Sequence, residues 1–145
     1  MLQIVRILED LPEDFEVLRQ SAVNEGWHHL DRLAEDWNRG ALRYDASGEA
    51  LLAAYENGVV GAIGAVCIEP NPADGPARRM RRFYVGPQFR RRGVGRTLAT
   101  ALIQQGWAAA PLLTVHASKP ESIAFWESLG FHPDARNGWS HSLRR

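Results

Sequence analysis

Apolar residues recur along this chain in two rhythms. Leu30, Leu33, Ala34 and Trp37 fall at i, i+3, i+4 and i+7, which is one face of a short helix read as His28–Trp37. Phe15, Leu18 and Ala22 make a similar stripe, on a helix that Pro12 opens and that ends near Gly26. A third stripe, Val94, Leu98, Ala101 and Leu102, starts at Gly93 or Val94 and fades before Pro111. Ser118-Lys119-Pro120-Glu121 reads as a capping box, with Ser118 as the cap and Glu121 at the third helical position. That fourth helix runs to Leu129 and stops at Gly130. The β-type segments are Gln3–Leu8, Leu51–Tyr55, Val59–Ile68, Arg79–Val85, Leu112–His116, Phe131–Asp134 and Trp139–Leu143. A turn around Asp45–Gly48 leads into the second of these, and Pro70–Pro76 is a loop. Glu56-Asn57-Gly58 is a hairpin turn, because Asn-Gly tolerates positive φ. The order β-α-α-β-β-β-α-β-α-β-β predicts a mixed α/β sheet.

Length and composition narrow the picture. A chain of 145 residues, without internal repeat or long linker, is expected to form one domain over 1–145. It can bury roughly two thirds of its unfolded surface, so it needs no metal or disulfide to fold. Cys67 is the only cysteine, which excludes an intrachain disulfide and a four-cysteine zinc site. It lies in the apolar run Val59–Ile68 and reads as a buried structural thiol. The start MLQIVRILED lacks a basic flank followed by a long apolar stretch, and no apolar run approaches the roughly 18 residues of a membrane span. A cytoplasmic protein without membrane contact or bound metal is expected.

Net charge is zero but segregated. Residues 1–74 carry fourteen Asp or Glu and five Arg, whereas residues 75–145 carry three acids and twelve Lys or Arg. Eight of those twelve are arginines between Arg78 and Arg96. Such a split points to one anion-binding region and a separate acidic one. The basic region contains Tyr84-Val85-Gly86-Pro87-Gln88-Phe89-Arg90-Arg91-Arg92-Gly93-Val94-Gly95-Arg96, in which a strand ends, a basic turn follows and a helix begins inside glycines. Amides in the first turn of a helix lack intrahelical partners, and the helix dipole adds partial positive charge there. That is a site for a pyrophosphate. Gly93 and Gly95 allow close backbone approach, and the arginines beside them supply forked hydrogen bonds.

These residues resemble the GNAT superfamily of N-acetyltransferases. Arg90, Gly93 and Gly95 match its signature of Arg or Gln, two residues, Gly, one residue, then Gly or Ala. Tyr84-Val85-Gly86-Pro87 is similar to the end of that family's fourth strand, and Ala124-Phe125-Trp126-Glu127-Ser128-Leu129-Gly130-Phe131 to its late "A-F-Y-E-x-L-G-F" segment. The element order agrees, so the likeness spans nearly the whole chain. It implies an α/β acyl-CoA N-acyltransferase fold, a mixed and mostly antiparallel sheet of six or seven strands flanked by about four helices. It implies acetyl-CoA as co-substrate, an amine acceptor and direct attack in a ternary complex. Backbone of Phe83, Tyr84 and Val85 would bond the pantetheine arm. Amides from Arg91 through Arg92, Gly93, Val94 and Gly95 to Arg96 would cradle the pyrophosphate, with Arg90 opening the motif. Ser118, Lys119, Phe125 and Trp126 would complete the cofactor wall, and a homodimer is expected by resemblance alone.

Two positions depart from the family pattern. Lys119 stands where a polar residue, often Asn, is common, and Trp126 stands where a Tyr often protonates the departing thiolate. An indole is no acid, so Tyr84, Ser118 and His116 are the substitute donors. For the base that deprotonates the amine, Glu69 at the end of an apolar strand is the first candidate and His141 the second. Of His28 and His29, one is expected to face solvent. Glu25, Trp27, His28, Asp31, Glu35, Asp36 and Trp37 would wall the acceptor site and suit a small cationic amine or peptide amine. Two other classes compete. A non-catalytic acyl-CoA sensor is motivated by Trp126. A nucleic-acid binder is disfavoured because exposed aromatics do not interleave with the arginines.

Overall fold

The computed structural model describes residues 1–73, 75–136 and 138–145. Asp74, inside the expected Pro70–Pro76 loop, lies outside the described residues. The elements are β1 Leu2–Arg6, α1 Phe15–Asn24, α2 His29–Asn38, β2 Ala50–Glu56, β3 Val59–Ile68, β4 Ala77–Val85, α3 Val94–Trp107, β5 Leu112–Val115, α4 Pro120–Ser128, β6 His132–Arg136 and β7 Trp139–Arg144. The strands form one seven-stranded sheet in the order β1-β2-β3-β4-β5-β7-β6. Every neighbouring pair is antiparallel except β4 with β5. This is the mixed, mostly antiparallel sheet with four helices that the sequence implies.

Strand alternation sorts the core into two layers. Ala50, Leu52 and Ala54 of β2 face a cluster with Leu98 and Leu102 of α3 and Trp126 of α4. Leu51 and Ala53 face the opposite cluster, with Leu18 of α1 and Leu30, Leu33 and Trp37 of α2. Each fully buried leucine contributes about 1.5–3 kcal/mol relative to exposure. The Asn57-Gly58 turn forms as expected, with φ of 52° and 82° and Glu56 paired to Val59.

Two local readings need correction. Pro12 does not open α1: Pro12–Asp14 form a turn closed by Phe15 N–H donating to Pro12 O, and the helix starts at Phe15. The Ser118–Glu121 capping box is also absent. Pro120 occupies the first turn of α4, Lys119 is the cap residue, and no side chain caps the helix. Proline is pre-set for the first helical position, so it shifts the start one residue past the serine.

Two features of the sheet make a site possible. β4 and β5 pair only over Ala77–Arg79 with Leu112–Thr114, so the strands part beyond Arg79. β4 also carries a bulge. Ile63 pairs with Tyr84 and Ala65 with Arg81, which leaves Arg82 and Phe83 opposite Gly64. Arg82 takes φ 55°. A Cβ at Gly64 would lie 2.8 Å from the Phe83 ring and 2.9 Å from Leu102, so only glycine fits under the bulge. The extra residue reverses the strand's facing: Met80 packs toward α3, while Tyr84, four residues on, packs toward α1 and α2.

Candidate functional site

A cleft of about 1250 Å³ opens where β4 and β5 part. Its walls come from β4, the α1–α2 junction, the turn before α3, the end of β5 and the outer face of α4. On the β4 wall, the carbonyls of Phe83 and Val85 turn away from β3. His29 Nε2 lies 3.1 Å from Phe83 O, and Arg90 Nε donates to Val85 O at 3.1 Å. The open backbone edge expected to meet an extended ligand therefore carries two side chains in this state. Tyr84, between them, keeps its backbone in the ladder with Ile63.

The turn after β4 has the expected shape. Arg91 and Gly93 are left-handed, at φ 61° and 80°. Thr97 N–H makes the first helical bond, to Gly93 O at 3.0 Å. The amides of Val94, Gly95 and Arg96 thus precede the first bond and have no partner among the described residues. The two glycines act differently. Gly93 has open space around its Cα and is needed for its φ. Gly95 is needed for packing, because a Cβ there would lie 3.0 Å from Val85 and 3.5 Å from Phe125. Three unpaired amides at one helix start fit a pyrophosphate.

The arginines of the turn also divide. Arg90 donates to both Glu25 oxygens, at 2.9 and 2.6 Å, and Arg92 pairs with Glu56. Arg91 has no hydrogen-bond partner among the described residues, and Arg96 makes only a 3.5 Å contact with Ser128. The two that remain available to a phosphate are Arg91 and Arg96, and both line the cleft.

Glu25 ties the turn to α1. Tyr84 O–H donates to the same carboxylate at 2.5 Å. The Arg90 guanidinium holds the Glu25 carboxyl below its ordinary range. Burial, then Glu25, pushes the Tyr84 phenol up. A phenol that keeps its proton and spends it on Glu25 is poorly placed to protonate a thiolate.

The two residues read as bases lie elsewhere. Glu69 does not line the cleft. Its carboxylate is fully buried and accepts from Arg79 at 2.8 and 3.1 Å, Thr114 at 2.5 Å and the Asn71 amide at 2.8 Å. Every lone-pair direction is engaged, so it acts as a hub tying β3, β4 and β5. Removing one partner of a buried ion pair costs about 3 kcal/mol. Glu69→Gln is therefore expected to lower thermal stability by that order while the pH–rate profile keeps its shape; a normal melting curve with an altered profile would reverse the assignment. His141 is also buried, between Ser140 Oγ at 2.8 Å and Glu127 Oε2 at 2.9 Å, outside the cleft.

Of the three histidines that line the cleft, His29 is the one that is not exposed. His28 is exposed and bonds Asp31, as expected for one of the pair. His29 is half-buried, with Trp27 and Tyr84 edge-on at 6.0 and 5.9 Å. A carbonyl only accepts, so Nε2 carries the hydrogen that goes to Phe83 O, and Nδ1 keeps a lone pair. Burial depresses its pKa below the ordinary value and the Arg82 and Arg32 charges add to that, against the Phe83 carbonyl bond and the Asp31 charge, which act to raise it. The sequence signal was present: His29 sits one helical turn before buried Leu33.

The expected acceptor wall is rearranged. Asp31 pairs with Arg19, Asp36 with Arg39 and Arg82, and Trp37 is buried with its indole N–H on Glu9 O. Of that set, Glu25, Trp27 and His28 line the cleft. At its other side, Trp126 is buried against Phe83, Phe125 and Phe131 at 5.1 to 5.3 Å, while Ser118, Lys119 and His116 are exposed at the rim. No group of three potential metal ligands gathers among the described residues, and no helix among them is long and apolar enough to cross a membrane.

Known proteins share this architecture. A protein from Exiguobacterium sp. 255-15 assigned as an acetyltransferase superposes with a TM-score of 0.87 at 21% identity, over 99% of this chain and 93% of that one. Glucosamine-6-phosphate N-acetyltransferase from Arabidopsis thaliana gives 0.64 at 18% identity, over 94% and 95% of the two chains. An aminoglycoside N-acetyltransferase in complex with CoA gives 0.65 at 20% identity, over 99% and 98%. No curated protein sequence matches the chain. The model of the acetyltransferase (GNAT) family matches residues 4–131, so the turn, the parted strands and α4 all fall within the match. This chain belongs to the GNAT acetyltransferase family.

Proposed function

We propose that the protein transfers the acetyl group of acetyl-CoA to an amine of a small molecule or peptide, with both substrates bound together. The observation that carries this reading is the meeting, in one cleft, of the unpaired amides at the start of α3 and a histidine held neutral. The amides of Val94, Gly95 and Arg96, with Arg91 and Arg96, would hold the diphosphate. The parted edge of β4 would run beside the pantetheine, meeting it at Val85 once Arg90 yields that carbonyl, while His29 keeps the Phe83 carbonyl. Phe125 and Trp126 would close the opposite wall, with Ser118 and Lys119 at the rim.

The thioester supplies the acetyl group, and its sulfur, with an ordinary thiol pKa near 8.5, departs as a thiolate at neutral pH and collects a proton from solvent. His29 Nδ1 takes the proton that the amine gives up as its nitrogen bonds to the acetyl carbon. With the proton assigned there, neither Glu69 nor His141 is needed as base, and Trp126 is a packing residue. Tyr84 orients His29 and anchors Glu25. Calorimetry with acetyl-CoA and thiol release over a panel of amines test the reading together. Expected are binding in the micromolar range typical of enzyme substrates and release that depends on the amine, with acetylated product by mass spectrometry. Tight binding with no product from any amine would instead make the protein a sensor.

A further inference from the structure

The acceptor end of the cleft is built of arginine. Arg79, Arg81 and Arg82 of β4 and Arg32 of α2 line it beside His29. Arg79 is matched by Glu69. Arg82 is almost wholly enclosed, its ion pair to Asp36 is long at 3.7 Å, and its Nε is buried without a partner. Arg32 and Arg81 make no ion pair among the described residues, although Glu35 lies one turn from Arg32 on the same helix. Arg32 and Arg82 are close enough to bear on the charge of His29. No carboxylate answers them from the cleft. Glu25 is consumed by Arg90 and Tyr84, and the other lining acid, Glu121, is on α4 across the opening.

These arginines are separate from those offered to the diphosphate. Arg81 and Arg82 precede the extended stretch Phe83–Val85, about 10 Å of strand, and Arg91 and Arg96 follow it. Arg32 and Arg81 have no counter-charge among the described residues, and Arg82 shares Asp36 with Arg39; guanidinium groups so gathered repel one another and leave donors unused. Their forked donors match a carboxylate or phosphate, and a substrate carrying one would relieve both costs. A polycation would add to the repulsion.

We infer that the acceptor is an amine that also carries an anionic group, a carboxylate or a phosphate, which docks on Arg32, Arg81 and Arg82 and presents the amine to His29. This replaces the cationic amine that the acidic composition of the two helices suggests, since their carboxylates are turned to arginines instead. It rests on the amine-acetylation reading above, so the test has a readout besides turnover.

Matched pairs of probes isolate the anion. β-Alanine is compared with propylamine, and ethanolamine phosphate with ethanolamine; spermidine is the polycation. With saturating acetyl-CoA, at least one anionic member is expected to exceed its neutral partner by about tenfold or more in kcat/KM, the order of one charge-assisted hydrogen bond. Preference within the two pairs tells carboxylate from phosphate. In Arg32→Gln that advantage should shrink about tenfold, mostly through KM, while the CoA dissociation constant holds. Calorimetry of the same probes on the CoA-bound protein separates the two readings: anionic probes that bind and lose affinity in Arg32→Gln support the inference even if nothing is acetylated. Equal or better use of neutral amines or spermidine, or anionic probes that neither react nor bind, would overturn it.

Discussion

His29→Gln should lower kcat by about 10³-fold, the middle of the range that a positioned base contributes. Glutamine keeps a side-chain N–H to donate to Phe83 O, so the α2–β4 contact survives and only the lone pair of Nδ1 is lost. The pH dependence gives the sharper readout. The base works when neutral. Burial, then Arg82 and Arg32, lower its pKa, so the acid limb of kcat should lie below pH 6.5, the ordinary histidine value. Activity should be full above that limb and fall as pH drops through it. In the variant the histidine limb should vanish, leaving a slow rate governed by the fraction of unprotonated amine. The melting temperature and the affinity for CoA serve as controls of folding. A variant with the parental rate and an unmoved limb would remove His29 from the reaction.

Periodicity carried most of the architecture. The Leu30, Leu33, Trp37 stripe is buried as one helix face, and the apolar run Val59–Ile68 is a central strand covered on both sides. The Asn57-Gly58 turn and the basic turn before α3 were legible because both need backbone that few residues adopt, and Gly93 has that backbone. The strand ends were set by partners rather than by residue preference. β4 begins at Ala77, two residues before the alternating pattern suggests, because Ala77 and Arg78 pair with Leu112 and Leu113.

The chemistry was less legible, for a physical reason. A carboxylate at the end of an apolar strand looks alike whether it meets solvent or a guanidinium. Glu69 meets Arg79 and Thr114, which lie ten and forty-five residues away and arrive only through the sheet. The β4 bulge had no local signal, because its left-handed residue is an arginine, held by Asp36 and by the room that Gly64 leaves for Phe83. That bulge decides which side of the sheet Tyr84 reaches, and so brings it to His29 and Glu25. The acidic character of the first half of the chain likewise suggested a cationic acceptor. That composition did not show that Glu25, Asp31 and Asp36 each sit on an arginine.

Gly93→Val and Gly95→Val should each weaken acetyl-CoA binding strongly, for different reasons that stability measurements can separate. Gly93 holds φ 80° with nothing within 4 Å of a built Cβ. Valine fits the space and not the backbone, since a β-branched residue at positive φ is a steric outlier. Relaxing that strain re-aims the turn and turns the Val94, Gly95 and Arg96 amides from a common point. A loss of about 10²-fold in affinity is expected, with a destabilisation of about 1–3 kcal/mol. Gly95 is inside α3, where φ is ordinary. A Cβ there already presses Val85 at 3.0 Å, and the two further methyl groups of valine reach into the space of Phe125. Overpacking of this kind costs about 1–3 kcal/mol and pushes the start of α3 away from β4. Gly95→Ala adds only the Cβ, so it should recover most of the stability and part of the affinity. At position 93 alanine should recover little, because the conformation is at fault and not the volume. If alanine restores binding equally at both positions, the left-handed turn is not what aims the amides. If both valine variants bind acetyl-CoA as the parent does, the diphosphate is held somewhere other than the start of α3.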